Sequence, residues 1–370
     1  MNTQIILAGL RARPVRTGVG VLAVALEVVL ILLLAGLTNG ALSDTGNRVA
    51  GVGGEIILKS DDTSYILGMS ESILPVKMGR DIQAKVEGIK TVAPVVTQME
   101  KTGGLTMIWG IDPVSFDLMS GGFTFLEGKM FSAPDEVVID DRIAHDRMLK
   151  VGATMDILKH PFKISGIVQN GKGARIFIPI STAQEMVSRP DTASVFYIKL
   201  DDKSRTKEII EKIQSLPKIG EGRDVIDADD WSNLLFASNA TFLGIIFDVI
   251  LFIGASVGVL VIFLSMYTTV TERTREIGIL RAIGASKGFI VALIIQESLM
   301  LCVVGVIVGV GASFVLMVLL GKIYPTLSIL ITAGWVLRGS IFALLSGVIG
   351  SIYPATKAAS QDPIEALAYE

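Results

Sequence analysis

The sequence predicts a membrane α-helical protein with four transmembrane helices and a mixed α/β extracytoplasmic domain inserted between helices 1 and 2. The chain has 370 residues, of which 51% are hydrophobic, and its mean hydropathy is +0.60. Four apolar stretches produce this bias, and each is at least as long as the roughly 20 residues that cross a bilayer. Between the first two stretches, Gly, Pro, Asp and Ser separate short apolar runs, which is typical of a folded domain.

The first apolar stretch follows Arg11, Arg13 and Arg16, and basic flanks remain in the cytoplasm. A signal peptide is the alternative, but its apolar core has roughly 7–15 residues and this run is longer, so we expect an uncleaved anchor. The predicted order is cytoplasmic segment 1–16, transmembrane helix 17–38, extracytoplasmic domain 39–240, transmembrane helix 241–268, cytoplasmic loop 269–288, transmembrane helix 289–320, outer turn 321–326, transmembrane helix 327–354 and cytoplasmic tail 355–370.

Short apolar runs in the inserted domain alternate between strand-like and helix-like patterns. We predict strands at 55–59, 92–96, 105–109, 136–139, 162–168, 176–179 and 195–199. We predict helices at 81–86, 181–187 and 206–216, with Ser181 as the N-cap of the second. Strands interleaved with helices predict an α/β domain large enough to bury its own core.

The residues of this domain offer little for catalysis. Residues 166–173 nearly match a phosphate-binding loop, but Gly173 replaces the magnesium-binding hydroxyl and a strand follows, so we interpret the run as a hairpin turn. His145 is expected on a helix surface and His160 in a turn, with no metal-ligand spacing around them. Cys302 lies in the third span as a packing residue. We therefore predict no catalytic residue, no metal and no cofactor on this chain, and no nucleic-acid partner.

The charged run TERTREIGILRAIGAS, residues 271–286, lies between the second and third spans. Charges do not remain in hydrocarbon, and a short basic loop indicates the cytoplasmic side. An apolar stripe of Ile277, Leu280 and Ile283 is expected to fit a groove on a partner, and Gly284 and Ser286 to end this helix and begin the next. A solvated turn is the alternative. The residues predicted to couple to a partner are Glu272, Arg273, Arg275, Glu276, Ile277, Leu280 and Arg281.

Polar and small residues also occur inside the spans. Glu27, Gln296 and Glu297 are the predicted intramembrane polar residues, and such groups must face protein or water. Glu27 has two interpretations, a hydrogen-bonding anchor to a neighbouring helix or a residue that lines a substrate path. Small residues at four-residue spacing allow helix backbones to approach closely, within one chain or across a dimer. They are Gly254, Gly258, Gly305 and Gly309.

The charged run, the pair Gln296-Glu297 and the tail 354–370 together resemble the FtsX/MacB/LolC permease family. The tail departs from the family pattern at Ala368, where arginine is usual. The inserted domain resembles the family's periplasmic core domain, with matching segments at 125–131, 135–138, 151–152, 162–167 and 176–179.

The resemblance implies an ABC transporter permease subunit in a bacterial inner membrane, with both termini cytoplasmic. It implies a separate cytosolic ABC ATPase that binds ATP and Mg, a homodimer of permeases in contact with membrane lipid, and a possible periplasmic adaptor. ATP hydrolysis would move the extracytoplasmic domain, a mechanism called mechanotransmission, and drive export or extraction of a substrate. Two alternatives are an FtsX-like subunit that activates a cell-wall hydrolase and LolC-like lipoprotein or lipid extraction. A membrane-bound enzyme is disfavoured by the scarcity of catalytic residues.

Overall fold

The computed structural model describes residues 14–60, 73–100, 106–217 and 222–362. Arg11, Arg13 and residues 363–370 of the C-terminal motif lie outside the described residues. The chain divides into two compact units. We call residues 1–40, 244–322 and 329–370 the helical unit, and residues 41–243 and 323–328 the sheet unit.

Four of the described helices are long and apolar enough to cross a membrane, and the predicted fold class is confirmed. The α-helices in chain order are α1 (Pro14–Ala50), α2 (Val76–Lys85), α3 (Pro113–Ser120), α4 (Asp141–Asp146), α5 (Ile180–Met186), α6 (Thr206–Ser215), α7 (Ala228–Glu272), α8 (Thr274–Ala282), α9 (Lys287–Ile323) and α10 (Ala333–Ser360). The boundary between the two units falls inside α1 and again inside α7.

The helical unit packs through small residues and aliphatic side chains. Val24, Val28 and Leu32 of α1 are buried against side chains of α7, α9 and α10. A Cβ at Gly350 of α10 would lie 2.6 Å from the carbonyl oxygen of Val259 on α7, so these two backbones approach closely. Cys302 is buried in this core, as the sequence predicts for a packing residue.

The fourth long helix begins later than the predicted span. Residues 327–332 are not helical, and α10 begins at Ala333. The backbone N–H of Leu330 donates to the carbonyl oxygen of Gly36 at 2.7 Å, and Ile329 and Ile331 contact that glycine. The segment therefore satisfies a backbone group against α1 instead of within its own helix. Helix α1 also continues to Ala50, beyond the predicted span 17–38.

The sheet unit contains the strands β1 (Ile56–Ser60), β2 (Leu74–Pro75), β3 (Ile89–Glu100), β4 (Thr106–Ile111), β5 (Phe125–Gly128), β6 (Glu136–Asp140), β7 (Thr154–Ile157), β8 (His160–Val168), β9 (Ile176–Pro179), β10 (Thr192–Ala193), β11 (Val195–Leu200) and β12 (Arg223–Asp227). The large sheet has the order β12-β1-β11-β3-β4-β9-β6-β8-β5, with β7 paired to β8. The pairs β4–β9 and β6–β8 are parallel, and the other pairs in this sheet are antiparallel.

Both faces of the central strands are covered. In β11, Phe196 and Ile198 pack with helices α2 and α6, whereas Tyr197 points to the other face and packs with Phe116 and Met119 of α3. Successive side chains of a strand point to opposite faces, so burial on both sides requires a continuous apolar run. This is why β11 carries apolar residues at consecutive positions.

Several predictions about the sheet unit were wrong in detail. Residues 166–173 do not form a hairpin, because β6 lies between β8 and β9 in the sheet. His160 begins β8 and is not in a turn. Ser181 is not an N-cap, because α5 begins at Ile180 and places Ser181 inside the first turn. His145 lies exposed on α4, as predicted.

One unpredicted helix carried a readable signal. Helix α3 follows Asp112, whose side chain accepts a hydrogen bond from the backbone N–H of Ser115 at 2.9 Å. Pro113 occupies its first position, and Gly121 follows its end with a φ of 70°. A capping aspartate, a proline at the first helical position and a glycine after the last are the standard boundary signals of a helix.

Candidate functional site

The charged loop contains helix α8. The sequence predicts that Gly284 ends this helix and that Ser286 begins the next one, α9. Gly284 has a φ of 104°, a left-handed conformation that favours glycine. The next backbone N–H, that of Ala285, donates to the carbonyl oxygen of Leu280 at 3.0 Å and so satisfies the end of the helix. The hydroxyl oxygen of Ser286 accepts a hydrogen bond from the backbone N–H of Phe289 at 3.2 Å and caps α9. Both boundary predictions are confirmed.

Arg273 connects the loop to the third long helix. Its Nε donates to Glu276 Oε2 at 2.7 Å, and its Nη1 donates to Glu297 Oε2 at 3.2 Å. Glu297 is on α9, and its side chain is only 5% exposed. Burial lowers the pKa of Arg273, but the hydrogen bonds and charges of the two glutamates outweigh burial and raise this pKa above its ordinary value. Two separately predicted groups, the coupling residues and the intramembrane polar residues, therefore meet in one ion pair.

The apolar residues of α8 and its C-terminal end differ in burial: one packs inside the helical unit, and the others are exposed. Ile277 is 7% exposed and packs with Ile290 and Ala355 in the core of the helical unit. Ile277 is therefore not available to a partner, contrary to the predicted stripe of Ile277, Leu280 and Ile283. Ile283 is 81% exposed and Leu280 36%.

Ile279, which is not among the predicted coupling residues, adds a third exposed apolar side chain to this surface. The charged residues Arg275 and Glu276 are also exposed, Arg281 is half-buried and Glu272 is the last residue of α7. We define the α8 surface as Arg275, Glu276, Ile279, Leu280 and Ile283.

Glu27 is buried inside the helical unit. Its side chain accepts a hydrogen bond from the hydroxyl of Ser346 on α10 at 3.1 Å. A Cβ at Gly258 of α7 would overlap its carboxylate, so α7 passes directly over Glu27. The structure thus contains the hydrogen bond to a neighbouring helix that the anchor interpretation requires. Gln296, by contrast, is exposed on α9.

Three of the four predicted packing glycines lie at close helix contacts. Besides Gly258, a Cβ at Gly305 would lie 2.6 Å from Val24 Cβ, and one at Gly309 would lie 2.8 Å from the carbonyl oxygen of Ala25. Both contacts bring α9 against α1. At Gly254, an added Cβ would have no atom of the described chain within 4 Å.

A second polar group, outside the residues predicted as sites, lies in the sheet unit. Asp44, near the end of α1, accepts hydrogen bonds from three arginines, Arg48, Arg142 and Arg175. These residues are separated by up to 131 positions in the chain. No local pattern in the sequence identifies such a cluster.

Comparison with known families identifies the class of protein. Residues 249–363 match the FtsX-like permease C-terminal model, and residues 17–216 match the MacB-like periplasmic core domain model. The chain belongs to this family and is a membrane-embedded ABC transporter permease of the MacB/FtsX type. The predicted family resemblance is confirmed.

Individual relatives carry names within the same class. The chain is 26% identical to the macrolide export ATP-binding/permease protein MacB of Bdellovibrio bacteriovorus over 98% of its own length, and it spans 60% of that relative. It is 24% identical to the MacB of Neisseria gonorrhoeae over 78% of its length, spanning 48% of that protein. It is 29% identical to the uncharacterized ABC transporter permease YknZ of Bacillus subtilis, covering 68% of this chain and 66% of YknZ.

Proposed function

We propose that this permease converts ATP hydrolysis by a separate cytosolic ABC ATPase into motion of its sheet unit, and that this motion exports or extracts a substrate from the outer face of a bacterial inner membrane. The α8 surface carries the proposal. Exposed aliphatic side chains flanked by charges are the chemistry by which a helix docks into an apolar groove with a polar rim. Ile279 and Leu280 are such side chains on one short helix, and Ile283 is another at its C-terminal end.

The attachment of α8 to the rest of the chain supports transmission of movement. Ile277 is packed into the helical core, and Arg273 forms an ion pair with Glu297 on α9. An element held at two points by apolar packing and by a charge-assisted hydrogen bond does not rotate independently of its neighbours. A displacement imposed on the α8 surface by closure of an ATPase would therefore reach α9 and the helices packed against it.

The proposal includes partners and cargo. Two copies of the permease would form the transporter, each with one ATPase subunit that binds ATP and Mg, and a periplasmic adaptor would join the sheet unit. Both termini would be cytoplasmic. The names of the MacB relatives suggest a macrolide-like compound as the exported cargo. LolC-like extraction of a lipoprotein and FtsX-like activation of a hydrolase would be revealed instead by the protein that is captured with the sheet unit.

The test is docking of the ATPase to single-residue variants. We expect Leu280→Glu and Ile283→Glu to weaken co-purification of the ATPase about tenfold or more, because each places a carboxylate in an apolar contact. Met148→Glu is the matched control, since Met148 is a 90% exposed apolar residue of the sheet unit. ATPase binding equal to wild type in both α8 variants would contradict the docking role.

A further inference from the structure

A single carboxylate in the sheet unit holds three arginines. Asp44 accepts hydrogen bonds from Arg48 Nε at 3.1 Å, from Arg142 Nη1 at 2.9 Å and from Arg175 Nη2 at 2.9 Å. Its side chain is 9% exposed. Arg48 lies one turn later on α1, Arg142 lies on α4 and Arg175 directly precedes β9. We call these four residues the Asp44 joint.

The joint also holds the connection between α9 and α10. Arg142 Nη1 donates to the hydroxyl of Ser328 at 2.7 Å, and Arg175 Nη2 donates to the carbonyl oxygen of Thr326 at 3.0 Å. Each of these two arginines therefore binds Asp44 and the connection at the same time. The connection, residues 323–328, belongs to the sheet unit, as does Asp44.

The end of α1 is also fixed by the glycine-rich run 166–173. The backbone N–H of Gly173 donates to the carbonyl oxygen of Arg48 at 2.8 Å, and Arg48 Nη1 donates to the carbonyl oxygen of Gly173 at 3.1 Å. A Cβ at Gly51 would overlap the carbonyl oxygen of Gly171. The run that resembles a phosphate loop thus uses its glycines to approach the backbone of a helix end.

The charges explain why Asp44 is the critical member. Three guanidinium groups converge, and Asp44 is the acid that accepts hydrogen bonds from all of them. A second acid, Asp140, lies farther away, with its Oδ2 4.0 Å from Arg175 Nε. Without the Asp44 carboxylate the repulsion among the arginines would be less compensated, and the charge-assisted bonds that set their orientation would be lost. Arg142 and Arg175 would then no longer be held where they reach Ser328 and Thr326.

From this geometry we infer that Asp44 is a positioning residue that joins residues 41–50 and 323–328 to the body of the sheet unit. Residues 41–50 are the last part of α1, and residues 323–328 connect the end of α9 to the segment before α10, so movement of those helices reaches the sheet unit through the Asp44 joint. The inference rests on the proposed function for the origin of that movement. Beyond the proposed function, it names the residues through which the sheet unit receives the movement.

The experiment uses the full chain in nanodiscs with the ATPase that co-purifies with it, in a Cys302→Ala background. Spin labels at Met148→Cys in the sheet unit and Gly288→Cys near the start of α9 report one intramolecular distance, with and without ATP. Amide hydrogen exchange of residues 323–330, measured without nucleotide, reports how firmly the Asp44 joint holds the connection. The variants are Asp44→Asn and Arg142→Gln, which removes the bond to Ser328 but retains Arg175, and Asp146→Asn is the control because that acid is exposed on α4.

We expect both test variants to speed exchange in 323–330 at least tenfold and to reduce the ATP-dependent distance change to less than half, with ATPase binding unchanged. The control should match wild type. Exchange and distance changes equal to wild type in both variants would overturn the inference and leave the proposed function standing. Absence of any ATP-dependent change in the wild type would instead contradict the proposed function and the inference together. If Asp44→Asn does not fold, Arg142→Gln decides.

Discussion

At the scale of single residues, the pair of Arg273 and Glu297 sets the orientation of helix α8. A carboxylate that is only 5% exposed lies on α9, and Arg273 supplies a cation at 3.2 Å. A buried ion pair of this kind contributes little net stability but is costly to break from one side. Its effect is specificity, because α8 must present Arg273 to Glu297 and so must direct Ile277 inward.

Arg273→Ala is expected to destabilise the chain by about 1–3 kcal/mol, because Glu297 loses this cation while it remains buried. The double variant Arg273→Ala/Glu297→Gln should recover part of the loss, since a neutral amide then replaces the buried carboxylate that has lost this cation. Thermal unfolding in detergent, with Arg275→Ala as the control for an exposed arginine of the same loop, measures both effects. A double variant that is no more stable than Arg273→Ala would contradict this account.

Asp140 provides a pH-dependent prediction in the sheet unit. Burial raises its pKa from the ordinary value of 3.8 to about 6, against the opposing hydrogen bond from the backbone N–H of Ile143 and the charge of Arg175. The folded state therefore binds the proton more tightly than the unfolded state, and the stability contributed by protonation is lost as pH rises from about 4 to about 6.

Asp140→Asn cannot ionise and retains an oxygen that can cap α4. We expect its stability relative to wild type to increase between pH 4 and pH 6 by about 1–3 kcal/mol and then to stay constant. Thermal unfolding midpoints of the full chain between pH 4 and pH 6 test this pH dependence, and Asp146→Asn is the control. A stability difference that does not vary with pH would exclude the proposed protonation of Asp140.

At the scale of elements, glycine positions decide how closely the long helices pack. Gly309 on α9 faces the backbone of α1, whereas Gly311 on the same helix has no described atom within 4 Å of the position of an added Cβ. Both are glycines in a helix interior, where alanine has the better intrinsic propensity by up to about 1 kcal/mol. A comparison of alanine substitutions at the two positions therefore separates the effect of helix packing from the effect of helix propensity.

Gly309→Ala is expected to destabilise the helical unit by about 1–3 kcal/mol, because a backbone oxygen cannot move aside as a flexible side chain can. Gly311→Ala should be neutral or slightly stabilising. Thermal unfolding of the two variants in the same detergent measures the difference. Equal midpoints would show that α9 and α1 are not in close contact at this point.

At the scale of the whole molecule, the proposed mechanism depends on the side of the membrane that each unit occupies. The α8 surface must be cytoplasmic to meet an ATPase, and the sheet unit must lie outside. Cys302 is the single cysteine of the sequence, so its replacement by alanine leaves a chain in which introduced cysteines can be labelled one at a time.

In spheroplasts, a membrane-impermeant maleimide is expected to label Met148→Cys and to leave Arg275→Cys unlabelled until the cells are lysed. Both positions are exposed in the chain. The charge of the reagent prevents it from crossing the bilayer, so the labelling pattern reports sidedness alone. Labelling of Arg275→Cys before lysis would remove the basis of the proposed function.

Local patterns predicted much of this structure. The strand at 176–179, the end of α8 at Gly284 and the cap at Ser286 were all readable, because hydrophobic runs, a left-handed glycine and a capping hydroxyl act within a few residues. The start of α10 was misplaced because Leu330 bonds to Gly36, far away in the chain. The error has a tertiary cause.

Hydropathy and short motifs are properties of neighbouring residues. They were enough to establish the family, the four long apolar helices and the inserted α/β domain. Three other features emerged only from the folded chain: β6 separates β8 from β9, Ile277 faces inward and Asp44 collects three distant arginines. Each of these depends on which remote segments meet. That choice is made by the packing of the whole core, which no local segment of the chain encodes.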